Sequence, residues 1–474
     1  MAAAEAVPFV KTGGLADVIG SLPKALREQG VDVRVILPKY DAIGADFKQQ
    51  MTLKAELSVP LSWRQQYCGV EELVYQGVTF YFIDNEYYFK RPGLYGHYDD
   101  AERYAYFARA VLECLPALDF KPDIIHCHDW HTGMINAFLK AHYAHDPFYQ
   151  EMKTLFTIHN LGYQGVFAKE ITQDILGLDE SYLSPDKLEF NDGVNFMKGG
   201  LVFADQISTV SRTYAEEIQY PYFGEKLDGL LRQRRDDLTG IVNGLDYDLY
   251  NPATDARLFA NYGVKTIDKK QENKTKLQEK LGLPVRRDIP LIAIVSRLVP
   301  SKGLDLIAHI LDELLGHESV QLVVLGTGDD KYQQLFEQAA WQYPGKVSSN
   351  VCFDENFAHQ IYAGADLFLM PSLYEPCGIG QLIALRYGTL PVVRETGGLK
   401  DTVLSYNKYT DKGNGFTFAH YNAHDMLYTI KRALGLYYDI PVWNRIVTNA
   451  MSSDYSWQES AKQYVGLYHK LVSR

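Results

Sequence analysis

The stretch Pro371-Ser-Leu-Tyr-Glu-Pro-Cys-Gly-Ile-Gly-Gln381 separates two apolar runs of different type. The run before it, Ala365-Asp-Leu-Phe-Leu-Met370, has the length and composition of a buried parallel strand. The run after it, Leu382-Ile-Ala-Leu-Arg-Tyr387, predicts a helix that is stopped by Gly388. The stretch is therefore predicted to be a strand-to-helix connection in an α/β fold.

This connection has the features of an anion-binding loop. Gly378 and Gly380 allow a ligand to approach the backbone closely. Free N–H groups and the positive end of the helix dipole would then face that ligand. Because Glu375 adds a carboxylate that can accept hydrogen bonds from hydroxyl groups, a phosphate with a sugar attached is one candidate ligand.

Length and composition limit the classes of protein that fit the chain. With 474 residues, of which 46% are hydrophobic, the chain can build two domains. The net charge of −12 argues against unspecific binding to nucleic acid or to an anionic membrane. No run is long enough to span a bilayer, and the start lacks a basic-then-apolar signal. The odd number of scattered cysteines, with no CxxC pair, favours a reducing cytoplasm and argues against a structural zinc site.

A second glycine-containing loop, Phe9-Val-Lys-Thr-Gly-Gly-Leu-Ala-Asp17, opens a predicted helix that extends to about Gln29. Lys11 precedes the glycine pair at the helix start, which fits a role in binding an anion. The loop does not match the P-loop sequence G-x-x-x-x-G-K-[ST]. Taken alone, it fits a solvated lysine in a turn equally well.

Polar residues recur where predicted strands end, and open α/β sheets bind ligands at the carboxyl ends of their strands. The pattern occurs in Pro122-Asp-Ile-Ile-His-Cys-His-Asp-Trp-His131, Lys153-Thr-Leu-Phe-Thr-Ile-His-Asn-Leu-Gly162, Asp205-Gln-Ile-Ser-Thr-Val-Ser211 and Thr239-Gly-Ile-Val-Asn-Gly244. The three histidines of the first segment also fit a metal site. Strand alternation, however, places His126 and His128 on one side and leaves His131 on the helix, so polar residues lining a cleft are favoured.

Five motifs together resemble the bacterial glycogen synthase and plant starch synthase family of glycosyltransferases. They are Lys11-Thr-Gly-Gly-Leu-Ala-Asp17, His126-Cys-His-Asp-Trp-His131, Thr157-Ile-His-Asn160, Ser296-Arg-Leu298 with Lys302-Gly303, and Glu375-Pro-Cys-Gly378. A single glycine-rich loop would be unspecific, whereas five motifs in the family's order over nearly the whole chain are specific. The resemblance implies two Rossmann-like α/β domains facing across a cleft, the glycosyltransferase B fold. We expect the domains at residues 1–250 and 251–455, and a C-terminal helix at 456–474 that crosses back to the first domain.

The resemblance also implies an activity and its partners. It implies transfer of glucose from ADP-glucose to the non-reducing end of an α-1,4-glucan such as glycogen, with retention of configuration, in the cytoplasm. No cofactor, metal, nucleic acid or membrane is implied. Residue chemistry alone leaves ADP-glucose and UDP-glucose open, and the choice of ADP comes from the resemblance.

The family motifs assign roles to individual residues. By position, Arg297 and Lys302 would hold the diphosphate and stabilise the charge of the leaving group, and Glu375 would bind sugar hydroxyls. The carbonyl of His159 would face the developing sugar cation. The further substrate-binding residues implied are Lys11, Gly13, Gly14, Asp17, Tyr95, Asp129, Asn160, Asn243, Phe353, Cys377, Gly378 and Gly380.

Four features depart from the family or mimic another one. Ser301 and Gly380 replace a usual Gln and Thr, from which we expect tuning of the site. Asp246-Tyr-Asp248 mimics a metal-binding D-x-D but is expected to be a structural turn. Members of the family begin with an apolar strand, and here Met1 nearly abuts the segment that follows it, so we expect unpaired backbone groups and a slot in the core. A catalytically impaired glucan- or nucleotide-binding protein is therefore the alternative.

Overall fold

The computed structural model describes residues 1–473. The chain divides into two compact units. The N-terminal unit is Met1–Gly244 together with the residues from Trp457 onward, and the C-terminal unit is Leu245–Ser456.

The N-terminal unit alternates strands and helices. Its strands are β1 (Arg34–Pro38), β2 (Thr52–Leu61), β3 (Arg64–Tyr75), β4 (Val78–Asp84), β5 (Ile124–His128), β6 (Lys153–Ile158), β7 (Val166–Ala168), β8 (Glu189–Phe190), β9 (Gly193–Asn195), β10 (Gln206–Thr209) and β11 (Leu238–Gly240). Its helices up to residue 244 are α1 (Gly14–Glu28), α2 (Ala45–Lys48), α3 (Glu86–Phe89), α4 (Asp100–Ala117), α5 (Trp130–His142), α6 (Ile171–Asp174), α7 (Phe196–Phe203), α8 (Arg212–Glu217) and α9 (Asp228–Gln233).

The first residues of the chain join two groups of strands. On one side β1 pairs in parallel with β4, which continues into the antiparallel strands β3 and β2. On the other side β5, β6, β10 and β11 pair in parallel in that order. Ala2 lies between them and forms parallel bridges to Ile36 and Cys127. The resulting order, β4-β1-(Ala2)-β5-β6-β10, is that of a Rossmann-like sheet.

The expected slot is present, but the expected loss of backbone pairing is only partial. The N–H of Ala2 donates to the carbonyl of His126 at 2.8 Å, and the N–H of Ile36 donates to the carbonyl of Met1 at 2.9 Å. Beside these residues lies a cavity of about 550 Å³, whose lining includes apolar side chains of β1, α4, β5 and the final helix. The Met1 ammonium donates to the carbonyl of Arg34 at 2.7 Å, and burial lowers its pKa to about 6.

The C-terminal unit contains a wholly parallel sheet. Its elements are α10 (Lys270–Lys280), β12 (Leu291–Val295), α11 (Leu304–His317), β13 (Gln321–Leu325), α12 (Asp330–Gln342), β14 (Val347–Asn350), α13 (Glu355–Gly364), β15 (Leu367–Met370), α14 (Gly380–Arg386), β16 (Leu390–Arg394), α15 (Gly397–Thr402), β17 (Phe416–Phe418), α16 (Ala423–Tyr437) and α17 (Ile440–Met451). The strand order is β14-β13-β12-β15-β16-β17. If the six strands of this sheet are numbered in chain order, the order across the sheet is 3-2-1-4-5-6, which is the Rossmann order. In sheets of this order the ligand binds where the winding reverses, between the first and fourth strands.

The final helix belongs to the N-terminal unit. Helix α18 (Trp457–Val472) lays an apolar face against α1. Tyr464 and Leu467 of α18 share a buried cluster with Val18 and Leu22 of α1. With it, both units have the predicted α/β architecture built around parallel sheets. Among the described helices, none is long and apolar enough to cross a bilayer.

Candidate active site

The loop between β15 and α14 holds Glu375 in a defined position. Its Oε2 lies 2.6 Å from Nζ of Lys302, and the same oxygen accepts a hydrogen bond from Oγ of Ser372 at 3.0 Å. Both charged side chains are largely shielded, with side-chain exposures of 18% for Lys302 and 11% for Glu375. The carboxylate is therefore fixed by a cation and a hydroxyl rather than free to rotate in solvent.

Lys302 reaches Glu375 because two loops pack closely at the centre of the sheet. Pro300–Lys302 forms a single 3₁₀ turn after β12, and Gly303 follows with φ of 71°. A side chain at Gly303 would collide with the carbonyl oxygen of Pro371, so only glycine permits this approach. The N–H of Leu373 donates to the carbonyl of Ser301 at 2.9 Å and ties the loops together. Since β12 and β15 are the first and fourth strands, the pair sits at the expected ligand-binding point of the sheet.

A third segment supports the Glu375 loop from the end of β16. The N–H of Gly398 donates to the carbonyl of Glu375 at 3.2 Å, and a side chain at Gly397 would collide with that carbonyl. The guanidinium of Arg394 donates to the carbonyl of Ser372 at 3.0 Å and also to that of Leu373. Sequence reasoning missed these residues. The glycine pair at a helix start, as in Gly13-Gly14, was the signal that could have found Gly397 and Gly398.

The remaining predicted residues of the C-terminal unit lie around this loop. Gly378 adopts a φ of 78°, and Gly380 is the first residue of α14. Cys377 is buried, and its carbonyl accepts a hydrogen bond from Nε2 of Gln381 at 3.0 Å. The loop backbone is thus held from the helix side by Gln381.

Arg297 and Phe353 are the two exposed members of the predicted set in the C-terminal unit. Arg297 follows β12, and among the described residues it makes no ion pair. Phe353 follows β14 and is 89% exposed. An exposed guanidinium and an exposed aromatic ring, which follow two strands on either side of β13, are groups that a nucleotide diphosphate could cover.

In the N-terminal unit, the Lys11 loop is organised by a carboxylate. Oε2 of Glu5 accepts hydrogen bonds from the N–H of Thr12 at 2.5 Å and from its hydroxyl at 2.8 Å. Burial raises the pKa of Glu5. Gly13 caps α1, which begins at Gly14, and Nζ of Lys11 lies 2.7 Å from Oδ1 of Asp17. Glu5 and Thr12 were not predicted as site residues; Thr12 lies in the predicted Lys11 loop, but its contact with Glu5 arises only in the folded chain.

Asp129 and His159 meet at the carboxyl ends of β5 and β6. Asp129 has a φ of 57°, and its Oδ1 accepts a hydrogen bond from the N–H of His159 at 2.8 Å. Burial raises the pKa of Asp129 to about 7. Nε2 of His159 lies 3.0 Å from Nδ1 of His128, and burial lowers the pKa of His159 to about 3. The His159 imidazole is therefore neutral at physiological pH, and its backbone is held in place by Asp129.

Three further predicted residues carry amides or a phenol. Oδ1 of Asn160 accepts a hydrogen bond from the N–H of Gly162 at 3.0 Å. The phenol oxygen of Tyr95 and Oδ1 of Asn243 are buried and lack a hydrogen-bond partner among the residues that the structure describes. Buried polar atoms are normally paired, so these two stand out among the predicted residues.

The alternative of a metal site finds no support in the geometry. Within residues 1–473 there is no group of three or more His, Cys, Asp or Glu side chains arranged to hold a metal ion. Both ring nitrogens of His126 are engaged, Nδ1 with the Tyr468 hydroxyl at 2.8 Å and Nε2 with that of Thr157 at 2.6 Å. Oδ1 of Asp246 accepts from the N–H of Asp248 at 2.8 Å, which makes the D-x-D segment a turn.

Taken together, two Rossmann-like units and a Lys–Glu pair at the switch point of one of them define a glycosyltransferase that uses a nucleotide-activated sugar. Family models agree with this class. The model described as starch synthase catalytic domain matches residues 1–233, and the model described as glycosyl transferases group 1 matches residues 273–443.

Individual relatives narrow the class to one family. The glycogen synthase of Desulforamulus reducens is 58% identical over 471 residues, which cover 99% of this chain and 98% of the relative. That of Geobacillus stearothermophilus is 59% identical over 473 residues, or 100% and 97% of the two chains. The solved catalytic domain of starch synthase IV from Arabidopsis thaliana, bound to ADP and acarbose, is 37% identical with a TM-score of 0.91, covering 100% and 99% of the chains. The chain belongs to the glycogen synthase and starch synthase family of glycosyltransferases.

A more distant structure shares the fold alone. Sucrose-phosphate synthase from Thermosynechococcus elongatus is 17% identical, with a TM-score of 0.62 over 100% of this chain and 99% of that one.

Proposed function

We propose that this protein is a glycogen synthase, which transfers glucose from ADP-glucose to the non-reducing end of an α-1,4-glucan with retention of configuration. The observation that carries the proposal is the pairing of Lys302 with Glu375 at 2.6 Å, at the switch point of a chain that matches glycogen synthases over its full length. ADP is favoured as the nucleotide because the starch synthase IV structure contains it. A cytoplasmic location is part of the proposal and is supported by the odd number of scattered cysteines, which include no CxxC pair.

The leaving group sets the main chemical demand. When the bond between the glucose C1 and the phosphate oxygen breaks, negative charge accumulates on the β-phosphate. Arg297 offers a planar fork of donors to the phosphate oxygens, and Lys302 offers a compact point charge. Fixed cations of this kind stabilise developing charge without reorganising during the reaction, and no metal ion is required.

Glu375 links the donor sugar to the leaving group. Its carboxylate accepts hydrogen bonds from hydroxyl groups of the glucose. Its pairing with Lys302 holds the ammonium group beside the loop, where it can face the phosphate. Ser372 and the glycines Gly397 and Gly398 hold this carboxylate and its backbone in place. The sugar and the phosphate are thereby oriented by one rigid element.

Family-motif residues of the N-terminal unit are proposed to act on the sugar cation and the acceptor. The backbone N–H of His159 donates a hydrogen bond to Asp129, which holds the backbone of His159 in place. The carbonyl of His159 is proposed to stabilise positive charge on the glucose ring. Attack by the acceptor hydroxyl on the face that the phosphate leaves gives retention. The new bond joins C1 to the acceptor oxygen, and the acceptor proton passes to the departing phosphate. Lys11, Tyr95, Asn160 and Asn243 are proposed to bind donor and acceptor groups.

The alternative, binding of glucan or nucleotide without turnover, is not favoured. Lys11, Arg297, Lys302 and Glu375 are all retained, and the Ala2 position of the first sheet is paired on both sides. Incorporation of labelled glucose from ADP-glucose into glycogen tests the proposal. Release of the label by an α-1,4-specific amylase would support the linkage, whereas label that resists the amylase would contradict it. UDP-glucose at the same concentration serves as the comparison donor.

A further inference from the structure

The tip of the β2–β3 hairpin carries an exposed tryptophan. Trp63 lies in the two-residue connection between Leu61 and Arg64, which pair with each other in the register of the hairpin. It is 73% exposed. Because single exposed apolar residues are common on protein surfaces, exposure alone does not define a site.

Trp63 is distinguished by its fixed orientation. Nε1–H of the indole donates to Oδ1 of Asp174 at 2.9 Å. The guanidinium of Arg64 lies 4.4 Å from the centre of the indole ring and donates to Oδ2 of Asp174 at 3.0 Å and to the Asp174 carbonyl at 2.6 Å. Oγ of Ser62 donates to the carbonyl of Gln173 at 2.8 Å. The hairpin tip is therefore docked onto α6, and the indole is held in one position.

This arrangement leaves a preorganised apolar face in solvent. The polar edge of the indole is satisfied by Asp174, and one ring face is covered by Arg64. Because the side chain is already ordered, a ligand that stacks on the open face loses little of its binding energy to side-chain ordering. A rigid aromatic face with no hydrogen bond left to make suits the C–H face of a pyranose ring.

The polar groups around the indole indicate an uncharged ligand. Gln173, Asp174 and Glu180 are exposed at this surface, and Nε2 of Gln173 lies 3.5 Å from Oε1 of Glu180. Carboxylate and amide oxygens accept hydrogen bonds from sugar hydroxyls. The charge of Asp174 is balanced by Arg64, whereas the negative charge of Glu180 repels phosphate, so the surface favours a neutral sugar chain over a nucleotide sugar.

We propose that Trp63, supported by Arg64 and Asp174, forms a surface site for an α-1,4-glucan chain. None of the described contacts of Trp63 and Arg64 involves a residue of the candidate active site. The identity of the glucan rests on the proposed function. A branched polymer held at a second site keeps its other chain ends near the enzyme and raises their effective concentration. The site therefore acts on long or branched glucans and not on short oligosaccharides.

Affinity electrophoresis in native gels that contain glycogen tests the site without the donor. We expect Trp63→Ala to weaken the apparent affinity for glycogen about three- to tenfold, the effect of losing one aromatic contact. The rate with maltotriose as acceptor and the KM for ADP-glucose should stay at the wild-type values. Asp174→Ala, which keeps the indole but releases it, should also weaken retardation, and an unchanged unfolding temperature would show that both variants are folded.

Trp341→Ala is the matched control, because Trp341 is an indole on α12 with 84% exposure and, among the described residues, no hydrogen bond that fixes it. It should migrate as the wild type does. Equal retardation of Trp63→Ala and wild type, or an equal loss in Trp341→Ala, would overturn the proposal. A wild type that is retarded through Trp63 but releases no ADP would contradict the proposed function and leave the surface site standing.

Discussion

The ammonium nitrogen of Lys302 and the carboxylate of Glu375 lie 2.6 Å apart, although 73 residues separate them in the chain. The contact joins the loops after β12 and β15, the two strands between which the winding of the sheet reverses. The cation that we propose for the leaving phosphate and the carboxylate that we propose for the sugar are thereby placed on one rigid support.

Replacing Lys302 by alanine tests the role of this cation. We expect Lys302→Ala to lower kcat by about 10²–10³, as expected when one fixed group that stabilises the charge of the transition state is lost. Lys400→Ala removes an exposed lysine of α15 and should leave kcat unchanged. Initial rates at saturating ADP-glucose measure both variants. A Lys302→Ala enzyme with the wild-type kcat would remove Lys302 from the mechanism.

Replacing Glu375 by glutamine tests the carboxylate while it preserves size. Because hydrogen bonds to charged groups contribute more than neutral ones, Glu375→Gln should lower kcat/KM for ADP-glucose about ten- to hundredfold. The unfolding temperature should change little. The double variant with Lys302→Ala should lose less than the two single effects combined, because the residues contact each other. Additive losses, or full activity in the single variant, would contradict the proposed pairing.

Asp129 predicts a distinct pH dependence of stability. Burial raises the pKa of this carboxyl from 3.8 to about 7, so the folded state binds more protons than the unfolded state between these values. Ionisation of Asp129 therefore destabilises the fold as the pH rises through that interval. Asp129→Asn should remove this component. The free energy of unfolding of the variant should therefore exceed that of the wild type by an amount that grows with pH up to about 7.

Urea unfolding at several pH values measures the difference. Asp236→Asn, whose wild-type side chain is 95% exposed, is the control and should run parallel to the wild type. If Asp129→Asn also runs parallel to the wild type, the carboxyl is not the group that titrates.

The cavity beside Met1 predicts an effect of engineered extension. Five apolar residues added before Met1 should continue the pairing of Ala2, fill part of the 550 Å³ cavity and replace the buried Met1 amine by a peptide bond. Burial of apolar side chains should outweigh the cost of ordering the added residues, so the unfolding temperature should rise. An extension of Gly and Ser with the same length should give no such rise. Equal unfolding temperatures for the two extended forms would show that the cavity does not accept a strand.

Local sequence patterns predicted the elements that depend on local properties. The apolar run before Pro371 is β15, and the predicted helix after Gln381 is α14, which begins slightly earlier, at Gly380. The helix after Lys11 also forms, as α1. Periodicity, glycines and run length are properties of adjacent residues, and these elements depend on little else.

The supports of the site could not be predicted in the same way. Glu5, Arg394 and Gly397 act through contacts with the backbone of segments distant in sequence, and those contacts exist only once the strand order is fixed. The roles of Arg297, Lys302, Glu375 and His159 in the reaction remain predictions from the family motifs. We expected unpaired backbone groups at the start of the chain, whereas Met1, Ala2 and Ala3 pair with the neighbouring strands. Three residues are too few to give a strand signal in the sequence.

Release of ADP from ADP-glucose, measured with and without glycogen, tests the central claim most directly. We predict release that requires both the donor and the glucan and that falls about 10²–10³-fold in Lys302→Ala. A folded wild-type protein that binds glycogen but releases no ADP above the rate without glycogen would contradict the account.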